Sequence, residues 1–129
     1  MQPLNFENVF LRKSLVLDVC EPYMEKVTVT HPGFSFELYK FGTFELGNSR
    51  YAFGTEEHEY EYAVSSAPYE SKLPIVFARV IEDDDGNTSY EFVPTSFFLE
   101  DSAFSVDKTI EYSLECQQVA GHYMLGCRA

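Results

Sequence analysis

Val27-Thr28-Val29-Thr30-His31-Pro32-Gly33-Phe34-Ser35-Phe36-Glu37-Leu38 is the stretch on which the fold reading turns. Valines alternate with threonines up to His31, Pro32-Gly33 interrupts the run, and Phe34, Phe36 and Leu38 then alternate with Ser35 and Glu37. Alternation with a period of two sends successive side chains to opposite faces of an extended chain. Two such runs around a Pro-Gly pair predict two strands joined by a tight turn.

The same signature recurs downstream. Phe41 to Leu46 and Tyr51 to Phe53 flank Gly47-Asn48-Ser49, which predicts a second hairpin. Glu57 to Val64 alternates strictly, with His58, Tyr60, Tyr62 and Val64 on one side and Glu57, Glu59 and Glu61 on the other. This predicts a half-buried strand with a carboxylate face. Ile75 to Glu82 is apolar on both faces apart from Arg79, as a central strand would be, and Asp83-Asp84-Asp85-Gly86-Asn87 then turns the chain into Ser89 to Val93. Ser96 to Leu99 and Lys108 to Cys116 bring the count to about eight strands. Helix signals are weaker. Phe6, Val9 and Phe10 have helical spacing after Asn5 but no capping box, and Glu115 to Tyr123 fits either state. The expectation is a mainly β fold, an antiparallel sandwich or barrel with at most one or two short helices. With no repeat, low-complexity tract or linker to divide it, 1–129 is expected to be a single domain.

Composition agrees with a packed domain. A chain of 129 residues buries roughly two thirds of the surface its unfolded form exposes, so it needs neither metal nor disulfide merely to fold. Twelve Phe and nine Tyr supply large apolar area and favour strands. The only apolar stretch in the first twenty residues, Leu15 to Val19, is short and interrupted by Asp18, so no signal peptide is expected, and no segment is long enough to span a bilayer as a helix. A cytoplasmic address is the expectation, the host cytoplasm if a mobile element encodes the chain. Cys20, Cys116 and Cys127 are odd in number and lack CxxC spacing, and so read as small buried hydrophobes rather than a disulfide framework.

Charge is the most informative feature. The net charge is −12, and it is uneven: residues 1–50 hold six acids against five bases, whereas residues 56–101 hold twelve carboxylates against Lys72 and Arg79 alone. An uneven field of this kind points to partners and says nothing of fold.

The motifs for chemistry fall short. Asp83, Asp85 and Gly86 resemble the middle of a calcium loop, but with Gly86 at the sixth position Ile81 and Phe92 occupy places that need oxygen ligands. His122 lies between Cys116 and Cys127, which are separated by ten residues without a second pair, a poor zinc signature. No local signature marks a cysteine as a nucleophile, and His31 and His58 read as a turn residue and a member of an aromatic strand face. Asn87-Thr88-Ser89 matches a glycosylation acceptor but lacks a secretory signal to go with it. Phosphate loops and basic patches are absent, and a protein of this charge would be repelled by nucleic acid. No catalytic residue, metal ligand or cofactor is therefore assigned.

Glu56, Glu57, Glu59, Glu61, Asp83, Asp84, Asp85, Glu100 and Asp101 remain as candidate binding residues. On a strand, Glu57, Glu59 and Glu61 would stand about 6–7 Å apart on one face. Alternating acid is also what any solvated sheet face presents, but such a face ordinarily mixes signs, and this one lacks lysine. Duplex DNA is a dense line of negative charge. A protein reproducing part of that line would occupy the basic groove of a nucleic-acid-binding protein through fast, salt-sensitive association. In composition the chain resembles small acidic proteins of mobile elements that block restriction or CRISPR effectors. The expected function is thus non-enzymatic binding of a basic protein surface, as a nucleic-acid mimic. A β-barrel holding an apolar small molecule, suggested by the Phe and Tyr content, and a structural subunit of a larger assembly are the alternatives.

Overall fold

The computed structural model describes residues 9–66, 72–99, 109, 110, 113 and 114. Its centre is a closed barrel of five strands, and the hairpins foreseen from turn chemistry build it. β2 (Glu25–His31) and β3 (Phe34–Leu46) pair antiparallel from Glu25↔Lys40 to His31↔Phe34, and Gly33 takes φ 97° in the turn between them. β3 continues into a second hairpin with β4 (Ser49–Glu56) around Gly47, which takes φ 64°. β6 (Val76–Glu82) pairs with β4, and β7 (Thr88–Val93) pairs with β6 across the Asp83–Asn87 turn. All four pairings are antiparallel. Directions therefore alternate along the five barrel strands, so the first and fifth run the same way. Closure has to be parallel, and β2 meets β7 in parallel at Val29↔Tyr90 and Thr30↔Glu91.

β3 serves two neighbours because it bends. Its register with β4 slips between Lys40 and Gly42, leaving Phe41 as the extra residue of a bulge, the device that lets a strand turn from one part of a small barrel to the next. Opposite the bulge stands Gly54, paired with Lys40, where a Cβ would run into the Tyr39 carbonyl. Only glycine fits that approach without moving backbone.

The strands carry two cores, one on each side. Val27, Val29, Leu38, Ala78 and Phe92, with Phe36, Val76 and Tyr90 against them, form the barrel interior. Directly paired residues share a face, and Val27↔Leu38, Ala78↔Phe92 and Val29↔Tyr90 all do so. The larger core lies outside. Phe44, Tyr51, Phe53, Phe77 and Val93 occupy the other face of β3, β4, β6 and β7, and Val16, Val19, Cys20, Tyr60, Ala63, Leu73 and Phe98 cover them from non-barrel elements. Those covering elements are β1 (Phe10–Arg12) paired with β5 (Lys72–Pro74), a helical stretch that begins as α1 (Lys13–Leu15) and widens through Val16–Cys20 before tightening at Glu21–Tyr23, α2 (Glu57–Ser66) and α3 (Ser96–Leu99). No described helix is long and apolar enough to cross a membrane.

The mainly β reading holds, with seven strands among the described residues and short helices beside them. Four local expectations are overturned. Phe10, the last of the residues with helical spacing, begins β1, and Phe6 lies outside the described residues. Glu57 to Val64, read as a strand, is α2. Ser96 to Leu99 is α3, and within the segment read as the last strand residues 109, 110, 113 and 114 are helical. The exposures of α2 give the reason. Tyr60 is 6% exposed and Tyr62 is 69% exposed, whereas a strand would have put them on one face. Tyr60 and Ala63, three apart, make the helix's buried stripe. Glu57 and Glu59 lie in the first turn, where the helix dipole favours acid, and the Glu56 Oε1 accepts the Glu59 N–H at 3.2 Å as a cap. At the other end the buried Lys13 donates from Nζ to the Ala63 carbonyl at 2.8 Å, placing a cation on the helix C-terminus. In α3, the Phe97 and Phe98 amides donate back to the Pro94 and Thr95 carbonyls, and the Phe98 ring sits 4.9 Å from that of Phe77 and 5.0 Å from that of Tyr51. Burial of the Phe98 ring outweighs the strand preference of this aromatic segment.

Candidate functional site

Two acidic regions emerge from the folded chain. The first is built on α2. Glu56 ends β4, and its carboxylate is divided between the Glu59 amide and the His58 Nδ1, which lies 3.0 Å from Oε2. That hydrogen bond, together with the Glu56 charge, raises the His58 pKa above the ordinary imidazole value. Glu57 receives the Lys26 ammonium of β2 at 2.9 Å, and this bond raises the Lys26 pKa. Lys26 also lies over the Tyr39 ring, 5.9 Å from its centroid. The Tyr39 hydroxyl donates to Glu61 at 3.4 Å, and the Tyr39 and Tyr60 rings pack 4.8 Å apart. Burial, and then the Glu61 charge, push the Tyr39 phenol upward. Beneath them the Tyr60 hydroxyl donates to Glu21 at 2.8 Å; burial and that carboxylate raise its pKa. α2 is thus tied to the barrel through Tyr60 and Lys26, while Glu59 and Glu61 remain exposed beside Tyr62.

The second region is the β6–β7 tip. Its acids are organised inward. Asp83 Oδ1 accepts the Asp85 and Asn87 amides, each at 2.9 Å, and Oδ2 accepts the Asn87 side-chain amide at 3.3 Å. The Asp83 amide donates to the Asn87 carbonyl, and Gly86 takes φ 85°. These donors, that of Asn87 first, hold the Asp83 carboxyl below its ordinary value. The residue that most resembled a calcium ligand is therefore engaged in its own turn. Asp84 and Asp85 point their charge at solvent without a base bridged to either among the described residues.

Seven of the nine candidate residues lie among the described residues, in two regions of the fold. Glu56, Glu57, Glu59 and Glu61 stand together at the end of β4 and on α2, whereas Asp83 to Asp85 follow the far end of β6, whose seven residues span roughly 20 Å. Glu100 and Asp101 lie outside the described residues, as do Cys116, His122, Cys127 and the segment Glu115 to Tyr123.

Comparison of the chain with family models, with curated proteins and with solved structures finds no match in any of the three. Chemistry has to be read from the side chains alone. Among the described residues no group of three or more His, Cys, Asp or Glu could hold a metal ion. Cys20 is fully buried, and burial pushes its thiol up to about 12, which keeps it protonated and unreactive at neutral pH. Residues that the sequence reading passed over complete the surface: Glu21, Lys26 and Tyr39 around α2, and Glu25, Lys40 and Tyr90 at the barrel mouth. There the Lys40 ammonium lies 3.2 Å from Glu25, 3.4 Å from the Tyr90 hydroxyl and 5.5 Å from the centre of its ring. Their only advance signal was alternation: Glu25, Lys40 and Tyr90 have the parity of the interior residues Val27, Leu38 and Phe92 on the same strands.

Proposed function

We propose that this chain is a non-enzymatic binding protein that engages a basic partner through charge, as an inhibitor that takes the place of nucleic acid in a basic groove. The observation that carries the reading is the outward side of α2. Glu59 and Glu61 are exposed with Glu56 and Glu57 beside them, and the basic side chains bridged to this group among the described residues, Lys26 and His58, are already matched to Glu57 and Glu56. Exposed Tyr62 on the same helix offers the sort of aromatic contact that anchors an interface inside a charged rim. Side chains fill the barrel interior, as in other small barrels, which favours recognition by the outer surface over a ligand held within the strands.

The test is capture of the partner from the native host at low and high salt, followed by titration of the purified pair. Charge-led association weakens steeply as salt rises and weakens again when Glu57, Glu59 and Glu61 are changed to Gln. An affinity indifferent to both would refute the acidic-surface mechanism.

A further inference from the structure

The barrel is sealed unevenly. Its antiparallel neighbours are paired over most of their lengths, but β2 and β7 meet at only two positions, Val29↔Tyr90 and Thr30↔Glu91. The Thr30 hydroxyl adds a bond to the Tyr90 carbonyl at 3.2 Å. Below that point the register would continue through Thr28 and Ser89 to Val27 and Thr88, yet neither pair forms. Glu25 to Thr28, about 13 Å of strand, therefore lack a partner strand on the β7 side among the described residues. Unpaired strand edges are templates for another strand.

Proteins often protect such an edge with lysine. Here Lys26 is the residue in that position, and Glu57 has bridged it. Lys40, behind the opening, is bridged to Glu25. Glu25, Glu37 and Glu91 stand on β2, β3 and β7, and Asp84 and Asp85 lie in the turn leading into β7, so with Lys26, Lys40 and Arg79 as the bases on these strands and their neighbour β6, acid outnumbers base. The topology adds a direction. A strand running antiparallel to β2 would also be antiparallel to β7, turning a five-strand meander with a parallel seam into an even, all-antiparallel arrangement.

Resting on the proposed charge-led function, we infer that the open seam at Glu25–Thr28 is where the partner is held, by addition of an extended, lysine- or arginine-rich segment as a strand on β2. Main-chain hydrogen bonds supply the register, and cationic side chains at alternate positions meet the surrounding carboxylates.

The experiment uses the full chain and two fluorescent eight-residue peptides of alternating Lys and Val, identical except that one is N-methylated at every backbone nitrogen. Both carry the same charge, and only the unmethylated peptide offers a complete set of main-chain donors. Binding is read by anisotropy, and amide exchange is followed by NMR. The expected result is that the unmethylated peptide binds at least about tenfold more tightly and slows exchange at amides within Glu25–Thr28. Equal binding of both peptides would show recognition by charge alone, overturning strand addition while leaving the proposed function intact. Binding of neither peptide overturns strand addition as well. So does self-association of the protein with protection of the same amides, because a second copy would then be the occupant. If instead only the unmethylated peptide binds, but salt and the Glu59→Gln/Glu61→Gln variant leave its affinity unchanged, strand addition stands and the charge-led reading fails.

Discussion

α2 and the β6–β7 tip carry similar acid and use it in opposite ways. At the tip, Asp83 turns its carboxylate onto its own backbone, so this negative charge builds the hairpin that bears it. On α2 the shape comes from elsewhere: Tyr60 and Ala63 hold the helix to the outer core, Lys13 meets its C-terminal carbonyls, and Glu59 and Glu61 are left at the surface. A carboxylate committed to local structure and one supported by distant packing look alike in a charge map. The difference decides which can be spared for a partner.

The comparison is broken most forcefully at Tyr60. Its ring packs on Tyr39 and Phe41, and its hydroxyl meets Glu21. Tyr60→Ala removes a buried aromatic from the stripe that docks α2, with an expected cost of about 3–5 kcal/mol in urea denaturation. The tip, with no side chain in either core cluster, should keep its native amide shifts. A loss below about 1 kcal/mol would mean that α2 does not depend on this anchor.

Affinity for the basic partner sharpens the contrast. Glu59→Gln with Glu61→Gln removes two exposed charges from α2 and is expected to slow association on the order of tenfold at low salt. Asp84→Asn with Asp85→Asn, in the turn that leads into β7, should cost about threefold. Stopped-flow association rates at several salt concentrations measure both. A larger loss from the tip pair would reverse the assignment of roles.

Stability against acid separates them again. Asp83 has a folded pKa below its unfolded value. Its contribution is present above the ordinary carboxyl range and is lost as the pH falls through the folded value. Asp83→Ala should therefore lower the melting temperature at neutral pH and flatten the acid limb, while Asp84→Ala leaves both nearly unchanged. Thermal melts from about pH 3 to 7 test this; equal effects from the two substitutions would show that the Asp83 hydrogen bonds do not hold the turn.

What could be read in advance follows the same division between local and distant causes. The hairpins at Gly33, Gly47 and Gly86 were legible because a positive φ and a nearby Asn, Asp or Pro specify a turn within a few residues. α2 was misread because Glu57-His58-Glu59-Tyr60-Glu61-Tyr62 alternates by type, while packing selects Tyr60 and leaves Tyr62 in solvent. Signals for the helix were present: Glu56 before acids in a first turn, and no β-branched residue from Glu57 to Ala63. α3 was hidden because its cause is Phe98 packing against Phe44, Tyr51 and Phe77, residues far away in the chain. The acidic surface was legible as composition. Its division between a helix and a hairpin tip was not, since the length of β6 separates regions that one charge count had joined.

The smallest expected effect lies at His58, which only α2 possesses. It is almost fully exposed, and Glu56 holds it by a hydrogen bond that favours the protonated ring. Its folded pKa is raised, so this contribution is fully present below the unfolded value and disappears as the pH rises through the folded one. Its effect on binding has the opposite sense, because a protonated His58 cancels one negative charge on α2. Affinity for a basic partner should thus rise as His58 loses its proton, by about twofold at physiological salt, and His58→Gln should remove that dependence. Anisotropy titrations between about pH 6 and 8 resolve a change of that size when the variant is measured beside the parent. An unchanged pH dependence in His58→Gln would assign the titration to another group and leave the α2 surface without a built-in proton response.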